Sequence, residues 1–149
     1  MELSTYRRIV RASALYDLVF TAALAVPWTQ ALAHGAMSGL NEALGGAPLP
    51  PFALFHMFIA GLLGSVVVVW SSLRMRRPSL ALGRYDGMAR FLFSAWMAWT
   101  LAQGGAPVLW LLLVPEAAWG VVQWWPVGHQ AGGGRRQMTW PLRATSRTR

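Results

Sequence analysis

The sequence predicts an all-α fold, a bundle of four transmembrane helices with both termini in the cytoplasm. Hydrophobic residues make up 55% of the 149 residues and charged residues only 12%, whereas ordinary soluble domains contain about 25% charged residues. The apolar residues are concentrated in four runs, each close to the roughly 20 residues that a helix needs to cross a bilayer. The positive charges lie outside these runs or at their edges. Together these features indicate an integral membrane protein.

The four predicted spans cover residues 12–33, 52–72, 85–103 and 106–125. The first contains one charged residue, Asp17, and the second contains none. Arg90 shortens the uncharged part of the third span, and Glu116 lies in the fourth. We assign residues 1–127 to the transmembrane domain. Residues 128–149 are basic and lack hydrophobic periodicity, so we expect them to form a disordered cytoplasmic tail.

The distribution of arginine predicts the orientation. The first and third connections between spans contain no Lys or Arg, so the positive-inside rule places them outside the cytoplasm. A net charge of +8 in a soluble protein would suggest a nucleic-acid partner, but these positions fit membrane insertion instead. We therefore expect no nucleic-acid partner and a multi-pass protein of a bacterial inner membrane. The cytoplasmic side would carry Arg7, Arg8, Arg11, Arg74, Arg76, Arg77, Arg84, Arg135, Arg136, Arg143, Arg147 and Arg149.

An alternative for the first span is a secretory signal peptide. Three arginines precede an apolar stretch that ends in "ALA" at Ala31–Ala33, a sequence of the kind that signal peptidase cleaves. The apolar stretch is long for a signal, however, and it contains Asp17. The remaining three spans would keep their orientation in either case.

A weak internal similarity suggests two repeated helical hairpins. A shift of 69 residues places "YD" at Tyr16–Asp17 on "YD" at Tyr85–Asp86, and "LAHG" at 32–35 on "LAQG" at 101–104. Chance is the alternative, because few identities support the repeat. If the repeat is real, the two hairpins share one orientation and are related by an axis along the membrane normal.

Four charged residues near the cytoplasmic side predict an ion-pair cluster, formed by Asp17, Arg84, Asp86 and Arg90. A carboxylate inside a membrane is costly unless it is paired, so we expect Asp17 to pair with Arg84 or Arg90. Asp86 and Arg90 are four residues apart and therefore share one helix face. A structural lock between helices is the first interpretation. A site for a phospholipid headgroup or substrate anion and a proton relay are the alternatives.

Glu116 is the charged residue predicted to lie deepest. We expect it to face the bundle interior and to be neutral, donating a hydrogen bond to a free carbonyl or to Ser65, Thr29 or Gln123. A ligand or proton site that lines a cavity is the alternative. Pro115, which precedes Glu116, and Pro27 should both bend their helices, because proline removes a backbone hydrogen bond.

The predicted external side carries the side chains able to ligate a metal or cofactor. His34 ends the first span, His56 lies about one turn into the second, and Met37 and Met57 are nearby. Two imidazoles can bind haem, and histidine with methionine can hold Cu(I). Because no known metal-site spacing is present, we assign no metal site, and haem and copper are the alternatives. Glu116, His56 and His34 remain the ligand-binding candidates, and no catalytic residue is assigned.

The size, the four spans, the internal termini and the intramembrane acidic residue resemble the small bacterial four-helix membrane proteins grouped around the DoxX-like families. The resemblance lies in architecture over residues 1–125 and implies no site residues. We predict a non-catalytic membrane module, either a subunit of a larger assembly or a binder of lipid or another apolar ligand. Its partners would be the bilayer and another membrane protein or a second copy. The alternative is an intramembrane redox or transfer protein that binds haem, quinone or copper through His34 and His56.

Overall fold

A computed structural model describes residues 1–128, and these residues fold into helices and their connections. The all-α prediction is confirmed for this part of the chain. The predicted tail, apart from Gly128, lies outside the described residues. The elements in chain order are α1 (Leu3–Thr21), a 3-10 turn (Ala22–Ala25), α2 (Pro27–Ala43), α3 (Leu54–Arg76), α4 (Leu80–Ala102) and α5 (Leu109–Trp124).

Four helices pack in two pairs. Helix α4 packs along α5, and α1 packs along α3. Helix α1 also contacts α4 and α5, so it joins the two pairs. Helix α2 contacts mainly the 3-10 turn and α3. The bundle therefore consists of α1, α3, α4 and α5, and α2 lies beside it.

Tyr6 fixes one end of this bundle. Its hydroxyl donates to the carbonyl of Gln123, near the end of α5, at 2.9 Å, and lies 3.5 Å from the carbonyl of Leu80, where α4 begins. Tyr6 itself is fully buried. The start of α1, the start of α4 and the end of α5 therefore meet, and α3 ends just before α4 begins. We call this the arginine-rich end, since it carries Arg7, Arg8, Arg11, Arg76, Arg77 and Arg84.

Asn41 fixes α2 at the opposite end. Its Oδ1 accepts from the backbone N–H of Val108, just before α5, at 2.9 Å. Its Nδ2 donates to the carbonyl of Ala47 at 2.7 Å. Asn41 and Val108 are both buried. The end of α2 and the connection between α4 and α5 thus lie together, remote from the arginine-rich end.

The first predicted span, 12–33, is not one continuous helix. Helix α1 ends at Thr21, and α2, which begins at Pro27, is bent by 112° relative to the preceding segment. Proline cannot donate a backbone hydrogen bond and crowds the preceding turn, so a helix that reaches it either kinks or ends. Here one helix ends and another begins at Pro27. The freed carbonyls find side-chain donors, because Thr29 donates to Ala23 at 2.6 Å and Gln30 donates to Leu24 at 2.6 Å. The predicted bend at Pro27 is therefore present, and it is large enough to separate two helices.

Gly64 allows the 3-10 turn to lie directly against α3. A Cβ atom built on Gly64 would lie 2.5 Å from the backbone nitrogen of Ala25 and 2.6 Å from the carbonyl carbon of Leu24. No real side chain fits at such distances from backbone atoms. The close approach of the turn to α3 therefore requires glycine at this position.

Polar side chains occupy the interior and apolar side chains the exterior. The largest fully buried side chains are Arg74, Arg90, Tyr6 and Gln123. Large apolar residues are exposed instead, for example Leu54 at 84% and Trp28 at 74% of their surface. In soluble proteins arginine is almost never fully buried, and leucine usually is. The usual distribution is therefore reversed.

One helix among residues 1–128 is long and apolar enough to cross a membrane as a single element. This helix is α3, whose most apolar stretch has a mean hydropathy of 2.0 and is only 11% buried. The bent pair 3–25 and 27–43 adds a second span if it is counted as one, and α5 is apolar but shorter, with 16 residues. One clear candidate span is established, and the count of four spans stays a prediction.

Candidate functional site: a buried charge network

Five charged side chains from four helices meet inside the bundle. We call them the charge network: Asp17 from α1, Arg74 from α3, Asp86 and Arg90 from α4, and Glu116 from α5. Asp86 and Arg90 face the same way because they are one helical turn apart. No other contact brings α1, α3, α4 and α5 together through side-chain charges in the described part of the chain.

Arg74 bridges the two aspartates. Its Nη1 donates to Asp86, and its Nη2 donates to Asp17. The same two nitrogens also donate to Ser13 at 3.2 Å and to Ser71 at 3.0 Å. A guanidinium group can make all these contacts at once because its donors are held in a planar fork.

Arg90 bridges the same two aspartates from α4. Its Nε donates to Asp86 at 3.0 Å, and its Nη2 donates to Asp17 at 2.7 Å. The remaining Nη1 donates to Glu116 at 2.8 Å. Two arginines and two aspartates thus form a closed ring of alternating charge, to which Glu116 is attached through Arg90.

Neutral polar side chains complete the coordination of Asp86. The indole of Trp70 donates to its Oδ1 at 2.9 Å, and the amide of Gln123 donates to its Oδ2 at 2.7 Å. Gln123 also donates to Ser13 at 2.8 Å. Asp86 therefore receives hydrogen bonds from four side chains, which offset the loss of its hydration.

Burial is graded across the network. The side chain of Arg74 is completely buried, and those of Arg90 and Asp86 are nearly so. Asp17 keeps 13% of its surface exposed and Glu116 keeps 16%. The network is thus closed around Arg74 and Asp86 and more open around Asp17 and Glu116.

The predicted pairing of Asp17 with Arg90 is present, but Arg84 lies outside the network. Arg84 donates to the carbonyls of Trp124 at 2.7 Å and Trp125 at 3.3 Å, and it stacks over the Trp124 ring. The physical reason is its position near the start of α4, level with the end of α5, where unpaired helix carbonyls attract a cation. Arg84 therefore closes a helix end.

Glu116 also has a partner other than those predicted. It accepts from Arg90, while Gln123 donates to Asp86 and Ser13. Ser65 and Thr29, the other predicted partners, donate to carbonyls of their own segments. An arginine that already bridges two aspartates still has a free nitrogen, and this nitrogen meets Glu116.

Sequence reasoning missed Arg74 and the polar side chains around it. The positive-inside rule places Arg74 among the arginines of the cytoplasmic side, although it is fully buried in the last turn of α3. Helical spacing was the available signal. Ser13 precedes Asp17 by four residues, Trp70 precedes Arg74 by four, and each pair shares one helix face.

A separate groove lies between α2 and the start of α3. It has a volume of about 530 Å³ and is lined mainly by apolar side chains. His34, Met37, Phe52 and His56 are among them. The Nε2 of His34 lies 2.8 Å from the carbonyl of Pro50, which can only accept, so His34 donates through Nε2. The structure thus brings both predicted histidines to one groove.

The Phe52 ring lies close to both imidazoles. Its centroid is 4.7 Å from that of His34 and 6.4 Å from that of His56. Within residues 1–128, no three His, Cys, Asp or Glu side chains form a group with the geometry of a metal site. The groove therefore presents an aromatic surface with two polar edges.

Comparisons with protein-family models, with curated proteins and with solved structures found no match to this chain. The resemblance to the DoxX-like families therefore stays a prediction.

Proposed function

We propose that this chain is a small multi-pass protein of a bacterial inner membrane, with four spans and both termini in the cytoplasm. The observation that carries the proposal is the reversed distribution of polarity, with Arg74 and Arg90 inside and large apolar side chains outside. Apolar side chains facing lipid cost nothing, whereas in water they would form an aggregating surface. A membrane is the solvent that suits such an exterior.

The arginine-rich end would face the cytoplasm. Its exposed arginines would meet anionic headgroups, as the positive-inside rule requires. Helix α2 would then lie near the outer interface, where the 112° bend carries it away from the direction of α1. Its exposed Trp28 and Leu32 suit an interfacial helix.

The role we propose is that of a non-catalytic membrane module that binds an apolar ligand. The groove beside α2 supports this role, because its apolar lining and its volume suit an acyl chain or a similar membrane-soluble molecule. The charge network would act as the structural lock that holds α1, α3, α4 and α5 together. Assembly with a second membrane protein or a second copy belongs to the same proposal.

Alkaline extraction and ligand recovery test this proposal. The chain should stay in the membrane fraction at alkaline pH, and solvent extraction of the detergent-purified protein should release a bound lipid or other apolar molecule. Ala33→Trp, which fills the groove, should lower the recovered amount several-fold. Ala36→Trp is the matched control, since Ala36 is exposed on the same helix and does not line the groove. A chain released at alkaline pH would refute membrane insertion, and equal recovery from both variants would refute the groove.

The second candidate function is an intramembrane redox or transfer protein. The observation that favours it is the meeting of His34, Phe52 and His56 in one groove. Of the three predicted cofactors, a quinone fits best, because its flat ring can stack on Phe52 while its oxygens meet the imidazoles. A visible spectrum of the purified protein distinguishes the cofactors. A Soret band lost in His56→Ala would favour haem, and a colourless sample with a quinone in the solvent extract would favour quinone.

A further inference from the structure

The charge network contains an odd number of charges. Two guanidinium groups face three carboxyl groups, so full ionisation leaves one negative charge in excess. An excess charge in a buried site is expensive, and a titratable group usually neutralises to avoid the cost. Arginine cannot lose its proton under ordinary conditions. The balance must therefore be made by a carboxyl group that takes up a proton.

The hydrogen bonds single out which carboxyl group can do so. Asp86 receives four donors and Asp17 receives donors from both arginines, so a proton on either would displace a bond to a buried cation. Glu116 accepts on Oε2 from Arg90, which leaves room on the group for a proton. Glu116 also keeps the largest exposed fraction of the five, 16%, so it is the member of the network least enclosed by protein.

The surroundings of Glu116 contain charges of both signs. Arg90 of α4 donates to Glu116, and Asp86 of α4 with Tyr16 and Asp17 of α1 lie close enough to interact with it electrostatically. From α3, Arg74 reaches the same two aspartates. Arg90 is thus shared among three carboxyl groups, so its charge does not serve Glu116 alone.

We propose that the charge network is a binding site for one exchangeable proton, held on Glu116. Taking up the proton makes the five-residue network neutral, and releasing it returns the network to one negative charge. The site is independent of the groove and of any ligand bound there. The net charge of the buried network therefore depends on pH, which goes beyond the structural role of the arginine–aspartate ring.

Infrared difference spectra of the detergent-purified full chain, recorded as pH is raised, test the proposal. The wild type should show the carbonyl band of one protonated carboxyl group at neutral pH, and the band should be lost in Glu116→Gln. The control is Glu42→Gln, because Glu42 is exposed on α2 and should leave the band unchanged. A wild type without the band, or a band that persists in Glu116→Gln, would overturn the proposal.

A second variant tests the charge balance and does not alter Glu116. Asp17→Asn leaves two positive and two negative charges, so Glu116 should then be ionised and its band should disappear at neutral pH. A band retained in Asp17→Asn at wild-type intensity would show that the excess charge does not place the proton on Glu116, and the proposal would fail. Circular dichroism of each variant verifies that the helices are intact.

Discussion

At the residue scale, the distinctive choice is arginine in the two positions that bridge aspartates. Arg74 uses two nitrogens to reach Asp17 and Asp86, and Arg90 uses two more for the same carboxylates. A lysine carries the same charge but presents it at one point on a flexible stem. The ring therefore depends on the shape of the guanidinium group as well as on its charge.

Arg74→Lys isolates this dependence on shape. The charge balance is unchanged, but a single ammonium group cannot span both aspartates and both serines, so at least one buried acceptor loses its donor. Such a loss costs about 1–3 kcal/mol, which should lower the midpoint of thermal unfolding in detergent. Arg76→Lys is the control, because Arg76 is exposed near the same helix end. Equal midpoints for the two variants would show that the fork geometry is unimportant.

Helix positions in the second half of the chain could be predicted from the sequence more accurately than those in the first. The predicted spans 52–72, 85–103 and 106–125 each correspond to one helix, α3, α4 and α5. The span 12–33 corresponds to two helices, because apolar composition continues across the break before Pro27. Hydropathy reports where apolar residues are and not whether the backbone is continuous. A proline can begin a new helix as readily as it bends an existing one.

In the charge network, the contact within one helix could be predicted from the sequence, and the contacts between helices could not. Asp86 and Arg90 could be paired from their spacing, because the contact lies within one helix. The contacts of Arg74 could not, because they depend on how far α3 extends beyond its apolar run and on which face it turns to α1. A broad polar face is not needed, because a narrow stripe of single residues such as Ser13 and Asp17 suffices to line the interior.

Element packing makes Gly64 the most sensitive small residue. Gly64→Ala would place a Cβ atom against the backbone of the 3-10 turn, and overpacking of this kind costs typically about 1–3 kcal/mol. Gly35→Ala is the matched control, because Gly35 lies in α2 with no atom within 4 Å of the added Cβ. Alanine favours a helix over glycine by about 1 kcal/mol, so the control should be neutral or slightly stabilising. Thermal unfolding in detergent would show whether the two variants diverge in this way; a harmless Gly64→Ala would mean that α3 and the turn are not in close contact.

At the scale of the whole molecule, the arrangement joins a charged interior to an apolar exterior. The four bundle helices start or end at the arginine-rich end, and the end of α2 is held by Asn41 at the other. In a bilayer the charge network would then lie nearer the cytoplasmic face. An ion network buried there can hold helices together where the hydrophobic effect between them is absent.

Reporter fusions test the proposed orientation. Fusions after Ala47 and after Pro107 should report a location outside the cytoplasm, because both positions lie at the end remote from the exposed arginines. Fusions after Pro78 and after Gly133 should report the cytoplasm. A single fusion that reports the opposite side would remove a span from the proposed topology, and the position that disagrees would identify which one.

A double-mutant cycle on unfolding in detergent tests the ring of two arginines and two aspartates most directly, at the contact between Asp17 and Arg90. Asp17→Asn and Arg90→Gln should each destabilise the bundle, and the double variant should lose less than the sum, since contacting charges couple by about 0.5–3 kcal/mol. The matched cycle pairs Asp17→Asn with Arg84→Gln, whose effects should add because Arg84 bonds to the carbonyls of Trp124 and Trp125. Strict additivity of Asp17→Asn with Arg90→Gln would contradict the ring.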